Sequence, residues 1–132
     1  MVTAVDSSVL FDVLRADPRF GAASGRALRA ASQIGALVAC PVVWSEVRAR
    51  FGDYEIMAGA MVAAAVRFDP FDQECADLAG RLWGEYRRAG GSRERIIADF
   101  LIGAHAQLRR GRLLSRDRGL YRRYFSQLEV LH

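Results

Sequence analysis

The first ten residues constrain the fold more than any other stretch. Val2, Ala4 and Val5 form an apolar run that stops at Asp6. Ser7 and Ser8 follow, and then Val9, Leu10, Val13 and Leu14 fall on one helical face. So brief an apolar run suits a central parallel strand better than a helix. A carboxylate therefore stands where the first strand ends and the first helix begins. In open α/β sheets that is the edge at which ligands bind.

The rest of the chain repeats the alternation of strand and helix. Asp17-Pro18 ends the first helix, because a residue before proline is pushed out of the α region. A second helix is predicted from about Ala22 to Ile34, with Ala27, Leu28, Ala31 and Ile34 inward and Gly35 as its cap. Ala36 to Cys40 reads as a strand, and Pro41 opens a third helix at the first-turn position that tolerates proline. In that helix Val43, Val47 and Phe51 share a face, and Gly52 ends it. Tyr54 to Ala65 is a fourth helix and Val66 to Phe68 a strand. Gln73 to Ala89 is a long helix stopped by Gly90-Gly91; Ser92 is expected to cap the next, which runs to Leu108. Leu113-Leu114, a short helix around Leu120 to Phe125, and a strand from Leu128 to Leu131 complete the chain. The expectation is one α/β domain over residues 1–132: a central parallel sheet of about five strands with helices on both faces.

Composition narrows the chemistry. All 19 basic residues are arginine, and no lysine is present. Schiff-base chemistry, P-loop nucleotide binding and phosphoryl-aspartate signalling on Asp6 each need a lysine and are excluded. The net charge of +4 and pI near 9.7 suit a polyanionic partner. Cys40 and Cys75 form no CxxC pair and sit among apolar residues, as reduced core thiols would. The longest nearly uncharged apolar stretch, Ile56 to Val66, is too short to span a bilayer. With no charged-then-apolar leader at the N-terminus, the expected location is the cytoplasm, away from membranes.

Four acids stand out. Asp6 and Asp117 each terminate an apolar strand, Glu46 lies in the second turn of a helix that begins directly after a strand, and Asp99 has Ile96, Ile102 and Gly103 as helical neighbours. Each also has a plain structural reading. Asp6 and Asp117 could cap helices, Glu46 could pair with Arg50, and Asp99 with Arg95. Together, however, four converging carboxylates would repel one another unless a cation lay between them. Hard divalent ions such as Mg²⁺ take oxygen ligands and keep places for water and a substrate phosphate. Such an ion can activate water and neutralise charge on a phosphodiester.

The phosphate side of that chemistry has candidates as well. Arg109, Arg110, Arg112, Arg116, Arg118, Arg122 and Arg123 crowd one stretch, interleaved with Tyr121, Tyr124 and Phe125. Arginines bind phosphates and aromatics stack on unpaired bases; equally, the stretch could be a solvated basic face with its rings turned inward. Ser115 could orient a ligand or merely begin the turn. His105 lies six residues from Asp99, on another helical face, and reads as a structural histidine. No HExxH, zinc-type Cys/His spacing, GxGxxG or GxSxG occurs.

The blocks TAVDSSVLFDVL, PVVWSEVRARF, IIADFLIGAHA and LLSRDRGLYRRYF, in that order, resemble PIN-domain ribonucleases, and among them the VapC toxins of type II toxin–antitoxin pairs. The resemblance runs over essentially the whole chain and is most specific in the last two blocks. It implies a parallel sheet between helices with acids gathered at its carboxyl edge. Asp6, Glu46, Asp99 and Asp117 would be the catalytic acids, with Asp6, Asp99 and Asp117 holding Mg²⁺ or Mn²⁺ and Glu46 serving as a ligand or positioning water. Ser7, Ser115, Arg116 and Arg118 would contact the RNA. Many relatives carry another acid shortly after the fourth; Gly119 and Leu120 stand there here. The implied function is metal-dependent RNA cleavage by a homodimer, neutralised by a VapB-type antitoxin whose tail would lie in a groove near Met57 and Met61. The alternative is a PIN-like module that binds RNA or a partner without cutting.

Overall fold

The computed structural model describes residues 1–92, 96–109 and 111–132. Strands β1 (Thr3–Val5), β2 (Leu37–Ala39), β3 (Val66–Phe68), β4 (Arg112–Leu114) and β5 (Glu129–Leu131) form one parallel sheet in the order β3-β2-β1-β4-β5. Helices α1 (Ser7–Leu14) and α2 (Gly21–Ile34) connect β1 to β2, and α3 (Pro41–Arg50) and α4 (Tyr54–Ala63) connect β2 to β3. Then α5 (Gln73–Arg88) and α6 (Ile97–Leu108) carry the chain back across to β4, and α7 (Arg118–Tyr124) leads to β5. With right-handed crossovers, the reversal after β3 puts α5, α6 and α7 on the face opposite α1 to α4.

This order decides where the site lies. The connection leaving β1 runs toward β2, whereas the one leaving β4 runs toward β5. Adjacent strands whose connections depart in opposite directions leave a crevice beyond their carboxyl ends. Here that crevice lies between Asp6 and the 115–117 turn, and the Asp6 amide donates to the Leu114 carbonyl at 2.9 Å to hold the two strand ends together.

The core follows from the apolar pattern. All three residues of β1 and of β2 are buried, as a central strand covered on both faces requires. Leu10, Val43, Val47, Phe100, Tyr121 and Phe125 fill the space between sheet and helices. Gly103 on α6 lets that helix pass directly over Phe125, for a Cβ at this position would collide with the ring.

Three expectations change in the folded chain. Ile34 is half exposed rather than inward, since the buried stripe of α2 is set by Leu28 and Ala31. Ser92 does not cap α6: its carbonyl accepts from the Tyr86 hydroxyl at 2.9 Å, and α6 starts at Ile97. The Asp99 carboxylate instead takes the Ile96 amide at 3.2 Å, supplying that helix start itself. Met57 and Met61 line no groove, because both are fully enclosed in the core. Arg95 and Arg110 lie outside the described residues, and with them the expected Asp99–Arg95 pair.

Candidate functional site

Asp6 is the N-cap of α1 and is buried. Its Oδ1 accepts the Ser7 amide at 2.8 Å, while its Oδ2 accepts the Ser115 hydroxyl at 2.7 Å and the Ser8 hydroxyl at 3.2 Å. Burial pushes the Asp6 carboxyl above the usual carboxylate range; the serine donors oppose that, and Asp117 adds to it. One Asp6 oxygen thus serves the helix start, and the other takes the Ser115 and Ser8 hydroxyls, Ser115 coming from the end of β4.

Two serines tie the acids together. The Ser115 hydroxyl donates to Asp6 and accepts the Asp117 amide at 3.0 Å, so it bridges the ends of β1 and β4. The Ser7 hydroxyl stands against Glu46 and lowers its carboxyl. Burial nevertheless holds Glu46 above its usual range, and Asp6 and Asp99 push it further. Its Oε1 is buried without a hydrogen-bond partner among the described residues. The expected partner Arg50 places its guanidinium over the Phe11 ring, 4.5 Å from the centroid, and acts on Glu46 only as the weakest of the charges around it, lowering its carboxyl slightly.

All four sequence-selected acids act on one another's neighbourhood. Tyr121, enclosed under the crevice, is raised first by burial and then by Asp6, Asp99, Asp117 and Glu46 alike. Among the described residues, no group of three or more His, Cys, Asp or Glu side chains is placed to hold a metal ion. The donor set still fits a hard cation: all oxygen, mutually repelling, and including one buried carboxylate oxygen, Glu46 Oε1, without a hydrogen-bond partner among the described residues. A Mg²⁺ ion needs only one or two protein carboxylates, with water and substrate phosphate completing its shell.

The arginines divide. Arg118, next to Asp117 at the start of α7, is exposed, and so is Arg123 in the last turn of that helix. Arg116, expected on RNA, is one-third exposed but held by the protein: its Nε and Nη2 donate to Asp12 at 2.7 and 3.1 Å, and its guanidinium lies 4.0 Å from the Phe20 ring centroid. Asp12 and its second donor, Ser24, escaped the sequence reading. The available signal was a lone acid in the otherwise apolar run from Val9 to Leu14, which needs a partner when buried.

His105 is satisfied as expected, with Nε2 2.6 Å from Asp69, which Arg109 also engages at 2.7 Å. A cavity of about 400 Å³ beside them is lined by Phe71, Cys75, His105 and Arg109 and by none of the four acids.

A parallel sheet with carboxylates at its switch point, tied by serines, is the arrangement of a PIN domain. The family model for the PIN domain matches residues 3–126, and the chain belongs to that family. Among solved structures, the chain is similar to VapBC2 from Rickettsia felis bound to a promoter DNA fragment, at 15% identity and TM-score 0.77, covering 99% of this chain and 98% of that one. It is also similar to VapBC-1 from nontypeable Haemophilus influenzae, at 14% identity and TM-score 0.74, covering 99% and 97%. VapC20 from Mycobacterium tuberculosis, a sarcin-ricin loop cleaving toxin, gives 19% identity and TM-score 0.62 over 96% and 98%. At these identities the likeness is one of fold. A search by sequence among curated proteins finds no match.

Proposed function

We propose that this chain is a VapC-like endoribonuclease toxin that hydrolyses RNA phosphodiester bonds with Mg²⁺, or Mn²⁺, at the Asp6 crevice. The observation that carries the reading is the linkage of Asp6 through Ser115 to the Asp117 turn, with Glu46 and Asp99 close enough to raise each other's charge cost. PIN-family membership and the fold shared with VapBC complexes support it.

Asp6, Asp99 and Asp117 would hold the cation, which when bound supplies an activated water and neutralises phosphate charge. Glu46, its carboxyl held above the usual range by burial and its Oε1 without a hydrogen-bond partner among the described residues, would orient that water and accept its proton. Ser7 and Ser115 keep the carboxylates in place and line the path of the RNA, and Arg118 binds a backbone phosphate. The partners in this reading are RNA, a second copy of the chain and a VapB-type antitoxin. Ile56, Val62 and Phe68 are exposed apolar side chains that a partner would cover. No helix among the described residues is long and apolar enough to cross a membrane, and the cytoplasm is the proposed location.

The test is cleavage of a mixed RNA pool by the purified chain in Mg²⁺, in Mn²⁺ and in chelator, beside Asp6→Asn. Cleavage that needs the metal and is lost in the variant supports the reading. RNA binding without cleavage in either metal would turn it to a non-catalytic RNA-binding module, and cleavage equal in parent and Asp6→Asn would remove the crevice from the mechanism.

A further inference from the structure

We propose that Asp12 and Arg116 form a positioning pair that holds the Ser115–Asp117 turn in register with Asp6. The inference rests on the nuclease reading above and assigns a role to two residues outside its set of acids. Asp12 lies near the end of α1 and is only 3% exposed. A bare carboxylate at such depth is costly, so what satisfies it matters. Its Oδ2 takes the Ser24 hydroxyl at 2.6 Å and Arg116 Nε at 2.7 Å, and its Oδ1 takes Arg116 Nη2 at 3.1 Å. The forked contact fixes the guanidinium plane, and stacking on Phe20 fixes it from the side.

The consequence lies in where Arg116 sits. Its chain neighbours are Ser115, which donates to Asp6, and Asp117, whose amide donates to Ser115. Asp12 belongs to the same helix that Asp6 caps. The pair therefore ties the turn bearing the fourth acid to the helix bearing the first, about one and a half helical turns from the crevice. A buried ion pair contributes little net stability against an apolar replacement, and its best-attested use is to fix one arrangement. Here the arrangement is the spacing of Asp6 and Asp117.

The experiment uses the purified full chain, with Mn²⁺ binding followed by calorimetry and RNA cleavage by steady-state kinetics, in the parent, Asp12→Asn, Arg116→Gln, Arg116→Lys and the Asp12→Asn/Arg116→Gln double variant. Each single variant is expected to weaken Mn²⁺ binding about tenfold and to lower kcat while KM for RNA holds. The double variant should be no worse than the worse single, because the two act as one unit. Lysine at 116 should not rescue, since it keeps the charge without the fork. If Asp12→Asn fails to fold, the Arg116 variants carry the test, because that side chain is one-third exposed. A raised KM in Arg116→Gln with Mn²⁺ binding and kcat intact would make Arg116 an RNA contact and overturn the inference. Lower melting temperatures with unchanged Mn²⁺ binding and kcat would reduce the pair to a structural brace and overturn it as well. A parent chain that binds no Mn²⁺ would overturn the nuclease reading itself, and this inference with it.

Discussion

Ser115 and Asp6 lie 109 residues apart in the chain and 2.7 Å apart in the fold, hydroxyl donating to carboxylate in a buried contact. That bond joins the ends of the two strands that flank the switch point. Replacing Ser115 with alanine removes the donor to Asp6 and the acceptor for the Asp117 amide together. Metal-dependent cleavage should fall by about 10- to 100-fold, the usual effect of losing an outer partner of a metal ligand. Kinetics in saturating Mn²⁺ check this, and a parent-like rate would leave Ser115 with no part in holding the acids.

Asp99 both serves the start of α6 and adds to the charge around Glu46. Without metal, Asp99→Asn removes repulsion and gives up a favourable charge at a helix N-terminus, a contribution of about 0.3–1 kcal/mol. We expect the variant in chelator to be as stable as the parent or slightly more so. With Mn²⁺ at a hundredfold excess over its dissociation constant, the parent should gain about 2.7 kcal/mol and the variant much less. Thermal melts of both, with and without Mn²⁺, make the comparison. A variant plainly weaker in chelator, with the same response to metal, would make Asp99 a structural residue.

The acids should also shape the pH dependence. Burial first, then neighbouring carboxylates, hold Asp6 and Glu46 above their ordinary values. A carboxyl raised in the folded state binds more protons folded than unfolded, so its contribution is lost as pH rises through the folded value. His105 works in the opposite direction: burial lowers it, so its neutral form is favoured in the fold and stability is lost as pH falls below about 6.5. The difference between parent and Asp6→Asn cancels the histidine. In chelator, the melting temperature of the variant relative to the parent should rise from about pH 4 to pH 7. A difference that shrinks over that range would contradict the raised Asp6.

Arg118 is exposed next to Asp117 and is the proposed phosphate contact. Arg118→Ala should weaken RNA binding at low salt and reduce the slope of log affinity against log salt by about 0.7, one contact's worth on a single strand. An unchanged slope, measured by titration in chelator, would move the RNA path elsewhere.

Met57 is fully enclosed. Met57→Ala should cost about 2–5 kcal/mol of stability, the range for emptying a packed site. Chemical denaturation tests it; a near-neutral change would show that the side chain faces a groove after all.

Much of this protein was legible in the sequence because local periodicity and strand-end acids are local signals. The apolar run before Asp6, the helical stripe Val43–Val47 and the strand at Leu113-Leu114 announced the α/β alternation, and Asp6, Glu46, Asp99 and Asp117 could be picked out by their position relative to predicted elements. What the sequence could not express was partnership across the chain. Arg116 looked like any arginine in a basic stretch; only the packing of α1 and α2 against the 115–117 turn places Asp12, Ser24 and Phe20 around it. Met57 and Met61 carried an apolar pattern that fits either a groove or a core, and burial, a property of the whole assembly, chose the core. The strand order, and with it the crevice between β1 and β4, is likewise a tertiary decision: each strand's sequence specifies that it be covered, and the connections and their handedness decide which strands become neighbours.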